Sequence, residues 1–213
     1  MIFRSEPPFP VLRDLSKNRE KALARIAIRF PWLYTGDGGR KCFTVSRDMG
    51  EVVKVIGIDP GLAKTGFAVV EPLERGGRVC YSGNINTDPG HSLEDRLSTI
   101  YHELSQLLQQ WTPDLMVMED VFVVKQFPMV AMQLGEVRGV IRLAAKNTGT
   151  PISEVKPTEV KSALTGSGRA SKEQIKRMVR RILSIEDKIK SDHVSDAMAL
   201  ALTGLTRNGL FRW

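Results

Sequence analysis

The chain has 213 residues, of which 42% are hydrophobic and 26% charged, and its formal net charge is +7. No apolar run approaches the roughly 18 residues that cross a membrane, and the first residues, MIFRSEPPFP, lack the pattern of a secretory signal. With only two cysteines, Cys42 and Cys80, and no CxxC motif, this composition is typical of a cytoplasmic protein with reduced thiols and no membrane partner.

The first predicted elements are three strands joined by short links that contain glycine. Residues 52–59, VVKVIGID, form an apolar run that is typical of a strand buried on both faces. Two more strands are predicted at 67–71 and 78–86, with turns at 61–66 and 75–77. Such strands predict an antiparallel meander.

The rest of the chain alternates helices with short strands. Leucines and an isoleucine recur at helical spacing after Ser92, a residue suited to a helix N-cap, and predict a helix over 93–111. Short apolar runs predict strands at 114–120 and 151–155. Further helices are predicted at 129–147, 158–164, 171–183 and 192–205. This order predicts an α/β fold in which a mixed sheet carries helices on its faces.

Acidic residues follow two of the buried strands. Asp59 ends the first strand and Glu119 ends the strand at 114–120, so neighbouring parallel strands would bring both to one edge of the sheet. The last helix begins DHVSDAMALAL, which places Asp192, His193 and Asp196 within one turn. Like charges this close need a cation between them, and such oxygen-rich sites suit Mg²⁺ or Mn²⁺. Two such ions about 4 Å apart can bind the attacking water and the leaving oxygen of a phosphodiester.

Each of these acids also has a simpler interpretation. Asp59 precedes Pro-Gly and would suit a turn, Glu119 would suit a solvated strand end, and Asp192 would suit a helix N-cap. Taken together, the acids at the ends of two apolar strands and one apolar helix favour the metal site.

A second candidate site is a group of cations. The net charge is unevenly spread, because residues 1–48 hold 10 Lys and Arg against 5 Asp and Glu, or +5 of the total. In the main part of the chain, Lys172, Lys176 and Arg180 lie at i, i+4 and i+8 on one predicted helix, with apolar residues on its opposite face. A one-sided basic stripe after the TGSGRAS loop indicates contact with nucleic-acid phosphates rather than an ordinary solvated face.

Five blocks of sequence together resemble the RuvC-type Holliday-junction resolvases: VIGIDPGLAKTGFAVVE, MEDVFVVKQ, QLGEVRGVIRLAA, KPTEVKSALTGSGRASKEQI and HVSDAMALAL. The resemblance runs from about Lys54 to Leu202. It implies a ribonuclease-H-like fold with a five-stranded mixed sheet and helices on both faces. It also implies a homodimeric crossover junction endodeoxyribonuclease that resolves four-way junction DNA by paired symmetric nicks. The implied cofactor is Mg²⁺, two ions per site, with Mn²⁺ as a substitute. The branch-migration proteins RuvA and RuvB are the implied partners.

The resemblance also assigns residues. Asp59, Glu119 and Asp196 match the catalytic, metal-binding acids, and His193 stands where many members carry a further acid and some a histidine. Asp192, one residue away, is the alternative fourth ligand. The residues matched or predicted to contact DNA are Phe122, which would stack on a base, Lys161, Arg169, Lys172 and Lys176.

Three other functions are alternatives to this one. A YqgF-like nuclease with the same fold would act on other nucleic acid, but the EDVF and HVSDAMA blocks favour the resolvase. A sugar-kinase or actin-like ATPase also begins with a GIDxG strand, but 213 residues leave no room for its second lobe. A junction-binding module with weak catalysis is the third.

The resemblance also divides the chain. Residues 49–213 are predicted to be the RuvC-like nuclease domain. Residues 1–48 are predicted to be an N-terminal extension that is either disordered or untranslated, with the alternative start at Met49, or else a genuine DNA-binding extension.

Overall fold

The computed structural model describes residues 52–120 and 128–209. The predicted extension at 1–48, Cys42 and the predicted base-stacking residue Phe122 therefore lie outside the described residues. A five-stranded sheet occupies the centre, in the order β3-β2-β1-β4-β5. Its strands are β1 (Val55–Asp59), β2 (Lys64–Pro72), β3 (Gly77–Asn86), β4 (Leu115–Glu119) and β5 (Ile152–Val155).

The sheet is mixed, as predicted. Strands β1, β2 and β3 form the antiparallel meander, whereas β1, β4 and β5 run parallel. In the central pair, Ile58 lies beside Met118, so the acid that ends each strand comes at the next position.

Helices cover both faces of this sheet. They are α1 (Leu93–Trp111), α2 (Pro128–Thr148), α3 (Pro157–Thr165), α4 (Lys172–Ile182) and α5 (Asp192–Arg207). Alternate strand residues point to opposite faces. Ile56 and Ile58 pack with α1 and α2 in a core that excludes water, whereas Gly57 lies against α5 on the other side. Asp59 belongs to the α5 side by the same alternation.

The boundaries of most elements match the predictions, and both ends of α1 lie where they were predicted. Ser92 caps α1 by accepting a hydrogen bond from the backbone N–H of Asp95. The prediction of the first strand was too long, because Val52 is 55% exposed and pairing begins only at Val55. The turn predicted at 61–66 was also too long, because the antiparallel ladder extends β2 back to Lys64.

Within the part of the chain that the structure describes, none of the helices has the length and apolarity needed to span a membrane.

Candidate active site

The centre of the candidate site is the edge of the sheet where β1 and β4 end. Asp59 is the last residue of β1 and Glu119 the last residue of β4, and both are half-buried. They lie on the face of the sheet that carries α5, in register on neighbouring parallel strands. The predicted convergence of the two acids therefore follows from the strand order and from the two-residue period of the strands.

The first turn of α5 completes the site, and glycines let the helix approach closely. A Cβ atom at Gly57 would overlap the carbonyl oxygen of Ala197 and lie 2.7 Å from the amide nitrogen of Ala201. A Cβ atom at Gly66, which pairs with Asp59 across β1 and β2, would overlap the carbonyl group of His193. The main chain of α5 thus lies directly on the sheet, and sequence reasoning did not assign this role to the two glycines.

His193 contacts Asp59 directly. The distance from His193 Nδ1 to Asp59 Oδ2 is 2.6 Å, a short hydrogen bond that joins the start of α5 to the end of β1. The Asp59 side chain is 19% exposed and the imidazole 43% exposed, so the pair lies at the mouth of the site.

Three acids share the site closely enough to affect one another. Burial raises the pKa of Asp59 above its ordinary value, and the charge of Asp196 adds to the rise, against the lowering effect of the His193 bond. Burial also raises the pKa of Glu119, and the charges of Asp59 and Asp196 add to it. Acids that repel one another at a half-buried edge form a site of negative potential that a cation would relieve.

Two lysines of α4 partly neutralise this potential. Lys172 Nζ lies 3.1 Å from Asp196 Oδ2 and 3.3 Å from Asp192 Oδ2. Lys176 Nζ lies 2.9 Å from Asp192 Oδ1. The N-cap position before α5 belongs to Ser191, so the interpretation of Asp192 as the N-cap was wrong. Asp192 instead binds the two lysines.

The three cations of the predicted basic stripe, Lys172, Lys176 and Arg180, are not all free to bind phosphates. The opposite face of α4 is apolar and buried, as predicted. However, Arg180 donates to the backbone carbonyl oxygens of Ile185, at 3.3 Å, and Glu186. Its guanidinium therefore stabilises the loop that follows α4, because that loop leaves carbonyl groups without helical partners. Spacing on one helix does not show how the chain turns after the helix ends, so this contact could not be predicted from the stripe.

Of the other predicted DNA-contacting residues, Lys161 is half-buried and lies close enough to Glu119 for its charge to lower the pKa of that acid. Arg169 is exposed in the loop between α3 and α4. Both lie on the side of the site that α3 and α4 form.

Arg138 of α2 contacts the main chain of the site, and the sequence analysis did not identify this residue. This arginine of α2 is 6% exposed, donates to the backbone carbonyl oxygen of Glu119, and bonds Glu154 Oε1 at 3.0 Å. A buried guanidinium needs such partners. The position of the Glu119 main chain thus depends on a contact from α2.

The comparisons with known proteins decide the family. The family model for "Crossover junction endodeoxyribonuclease RuvC" matches residues 55–204. RuvC of Moorella thermoacetica is 41% identical over 148 residues, which cover 70% of this chain and 88% of the relative. The chain belongs to the RuvC family.

Solved RuvC structures show the same fold. The Thermus thermophilus RuvC structure has a TM-score of 0.68 and 31% sequence identity, and the match covers 74% of this chain and 97% of that chain. T. thermophilus RuvC in complex with a Holliday junction substrate also has a TM-score of 0.68, with 32% identity and coverage of 71% and 92%. The RuvC family consists of metal-dependent crossover junction endodeoxyribonucleases, and this chain is a nuclease of that kind.

The chemistry of the RuvC site fits a divalent cation. Asp59, Glu119 and Asp196 offer carboxylate oxygens, which are hard ligands suited to Mg²⁺, and their mutual repulsion favours a cation among them. Among residues 52–120 and 128–209, however, no three acidic, histidine or cysteine side chains are already arranged around one point as metal ligands. Asp196 is directed to Lys172 instead.

The raised pKa of Glu119 predicts an effect on the stability of this RuvC. A carboxyl group whose pKa is higher in the folded than in the unfolded protein binds more protons when folded, so its contribution to stability falls as the pH rises past its ordinary value near 4.5. Glu119→Gln removes this cost. We expect the metal-free variant to melt about 2 °C higher than wild type at pH 7 and to show a flatter dependence of stability on pH between 4 and 7. Thermal unfolding in EDTA measures both, and a lower melting temperature at pH 7 would contradict the assignment.

Proposed function

We propose that this RuvC-family nuclease resolves four-way DNA junctions by paired symmetric nicks that depend on Mg²⁺. The observation that supports this most is the convergence of Asp59, Glu119, His193 and Asp196 at one edge of the sheet, on elements that are far apart in the sequence. We propose two Mg²⁺ ions per site, with Mn²⁺ able to replace them.

The residues of the site would act on the metal, on water and on the DNA in different ways. Asp59, Glu119 and Asp196 would hold the ions, and Asp59 also accepts the hydrogen bond that orients His193. The bound ions would supply a nucleophilic water and stabilise the leaving oxygen of the phosphodiester. Lys161 and Lys172 lie beside the acids and would position the phosphate by charge.

Cleavage of a synthetic four-way junction tests the proposal directly. We expect two nicks, symmetric about the junction, in Mg²⁺ and no nicks in EDTA. A linear duplex of the same sequence should be cut far less. Equal cleavage of duplex and junction would favour a less selective nuclease with the same fold. Tight junction binding without any cleavage would favour a binding module.

His193 is the proposed fourth ligand or water-orienting residue, and Asp192 is the alternative. The contact of the imidazole with Asp59 favours His193, whereas Asp192 is 59% exposed and bound to Lys172 and Lys176. We expect His193→Ala to lower the cleavage rate about 100-fold and Asp192→Ala to lower it less than about fivefold. Since imidazole is a softer ligand than carboxylate, His193→Asp should narrow any advantage of Mn²⁺ over Mg²⁺. If the two alanine variants showed the opposite severities, Asp192 would be the ligand.

We propose that a second copy of the chain binds the outer face of α2. Met129 and Met132 are each more than 60% exposed and Leu143 is 52% exposed, and helical periodicity places all three on the side of α2 that faces away from the core. Val130 is also exposed, at 62%, in the first turn. Gly139, between them along the helix, has open space around it and would allow a close approach. Two symmetric nicks need two active sites, and an apolar helix face of this kind suits a homodimer.

If α2 forms the dimer interface, a charge placed on its outer face should dissociate the dimer. Met132→Glu places a charge in the proposed interface, and we expect it to shift the protein from dimer to monomer at micromolar concentration. Sedimentation velocity measures the change. Gln106→Glu, which adds the same charge at an exposed position of α1, is the control and should stay dimeric. Wild-type protein that sediments only as a monomer would contradict the proposal.

Further DNA contacts are proposed at Phe122, by stacking on a base, and at Arg169 and Lys176, by charge. RuvA and RuvB are proposed partners on the strength of the family alone. We also propose that residues 49–213 form the nuclease domain without help from residues 1–48, so a chain that starts at Met49 should fold and cleave normally.

A further inference from the structure

Two lysine ammonium groups meet on one carboxylate beside the active site. Asp192 binds Lys176 through Oδ1 at 2.9 Å and Lys172 through Oδ2 at 3.3 Å. A carboxylate that accepts from two ammonium groups through its two oxygens resembles a phosphodiester, which also presents two anionic oxygens to cations. The two lysines come from successive turns of α4, so the helix holds their Cβ atoms close together and both flexible side chains can reach the same anion.

We propose that Lys172 and Lys176 form a binding subsite for one phosphate of the DNA backbone, and that Asp192 occupies this subsite in the DNA-free protein as an intramolecular phosphate mimic. This inference rests on the proposed function and adds to it the role of Asp192. In this view Asp192 is neither a metal ligand nor a helix cap. It is a competitor that the DNA must displace.

The exposure of the three side chains supports such an exchange. Asp192 is 59% exposed and Lys172 52% exposed, so a phosphate can reach the lysines from solvent. Lys176 is less exposed, at 27%, and also forms a longer ion pair, at 3.6 Å, with Glu173. Exposed ion pairs of this kind are weak, so a DNA phosphate held by further contacts can replace one.

The exchange would also affect the catalytic acid. The same Lys172 ammonium lies 3.1 Å from Asp196 Oδ2. When Lys172 moves onto a phosphate, Asp196 loses a cationic partner and becomes available to a metal ion. Arrival of DNA at the subsite would thereby favour metal binding at the neighbouring acid, which links substrate binding to assembly of the site.

Asp192→Asn tests the proposal through DNA affinity alone. The binding of a four-way junction is measured in EDTA, where cleavage cannot occur, so a failure of the proposed nuclease activity would not affect the result. We expect Asp192→Asn to bind about fivefold more tightly at low salt. The dependence of log K on log salt should become steeper by about one unit, because the lysines then release DNA counterions without first breaking an internal ion pair.

Matched controls separate this mechanism from a general gain in positive charge. Glu173→Gln removes one negative charge from the same surface but leaves both lysines on Asp192, so it should change the affinity less than twofold. In a Lys172→Ala/Lys176→Ala background, Asp192→Asn should also change it less than twofold. The proposal is overturned if Asp192→Asn does not tighten binding, if Glu173→Gln tightens it equally, or if the gain persists without the two lysines.

Discussion

Asp59→Asn is expected to lower the rate of junction cleavage about 10³-fold and to leave junction binding within about twofold of wild type. Asparagine preserves the size of the side chain and can still accept a hydrogen bond from His193, but it lacks the negative charge that a metal ligand supplies. Losing several kcal/mol of metal-based stabilisation of the transition state corresponds to a loss of this order. Glu119→Gln and Asp196→Asn should behave in the same way, because both acids share the site with Asp59.

A single-turnover assay measures the cleavage rate, and a separate assay in EDTA measures junction binding. Glu103→Gln is the matched control, since it neutralises an exposed acid of α1, on the face of the sheet opposite α5. It should cleave at the wild-type rate. Undiminished cleavage by Asp59→Asn would remove Asp59 from the catalytic set.

The second large effect is a loss of thermal stability when Gly57 is replaced. Gly57→Ala should lower the melting temperature by roughly 10 °C, since overpacking against a rigid element costs about 3 kcal/mol. The added methyl group would overlap the carbonyl oxygen of Ala197 in the middle of α5, and the helix backbone cannot rotate away as a side chain could. Because α5 carries His193 and Asp196, its displacement should also reduce cleavage in the molecules that remain folded.

Gly168→Ala provides the control for Gly57→Ala. A Cβ atom at Gly168 would lie 3.5 Å from the nearest atom, the carbonyl oxygen of Thr158, which is an ordinary contact. Its melting temperature should stay within about 2 °C of wild type. A wild-type melting curve for Gly57→Ala would show that α5 can move off the sheet without cost.

Features that depend on local pattern were predictable from the sequence. The helix at 93–111 has a cap and a regular apolar face, so both of its ends were predicted correctly. The meeting of Asp59 and Glu119 followed from two short apolar strands that each end in an acid, since parallel neighbours bring such ends together. The family resemblance added the five-stranded mixed sheet with helices on both faces, whereas the strand order came from the structure.

Features that depend on contacts between distant elements were not predictable in the same way. The pairing of Asp192 with Lys172 and Lys176 requires α4 and the start of α5 to lie side by side. The contact of Arg138 with the main chain of Glu119 likewise joins α2 to the end of β4. Neither arrangement leaves a periodic signal in the sequence, because each side chain would look equally plausible on a solvated helix face.

The wide separation of the proposed catalytic residues along the chain has a consequence for incomplete molecules. His193 and Asp59, which share a hydrogen bond, are 134 positions apart. A chain cut short before residue 191 would lack both His193 and Asp196 and would also leave the α5 side of β1 uncovered. Fragments from interrupted synthesis or partial proteolysis would therefore keep Lys172 and Lys176 but lack two of the four proposed site residues. On this proposal, the protein can cut DNA only after the last helix has docked on the sheet.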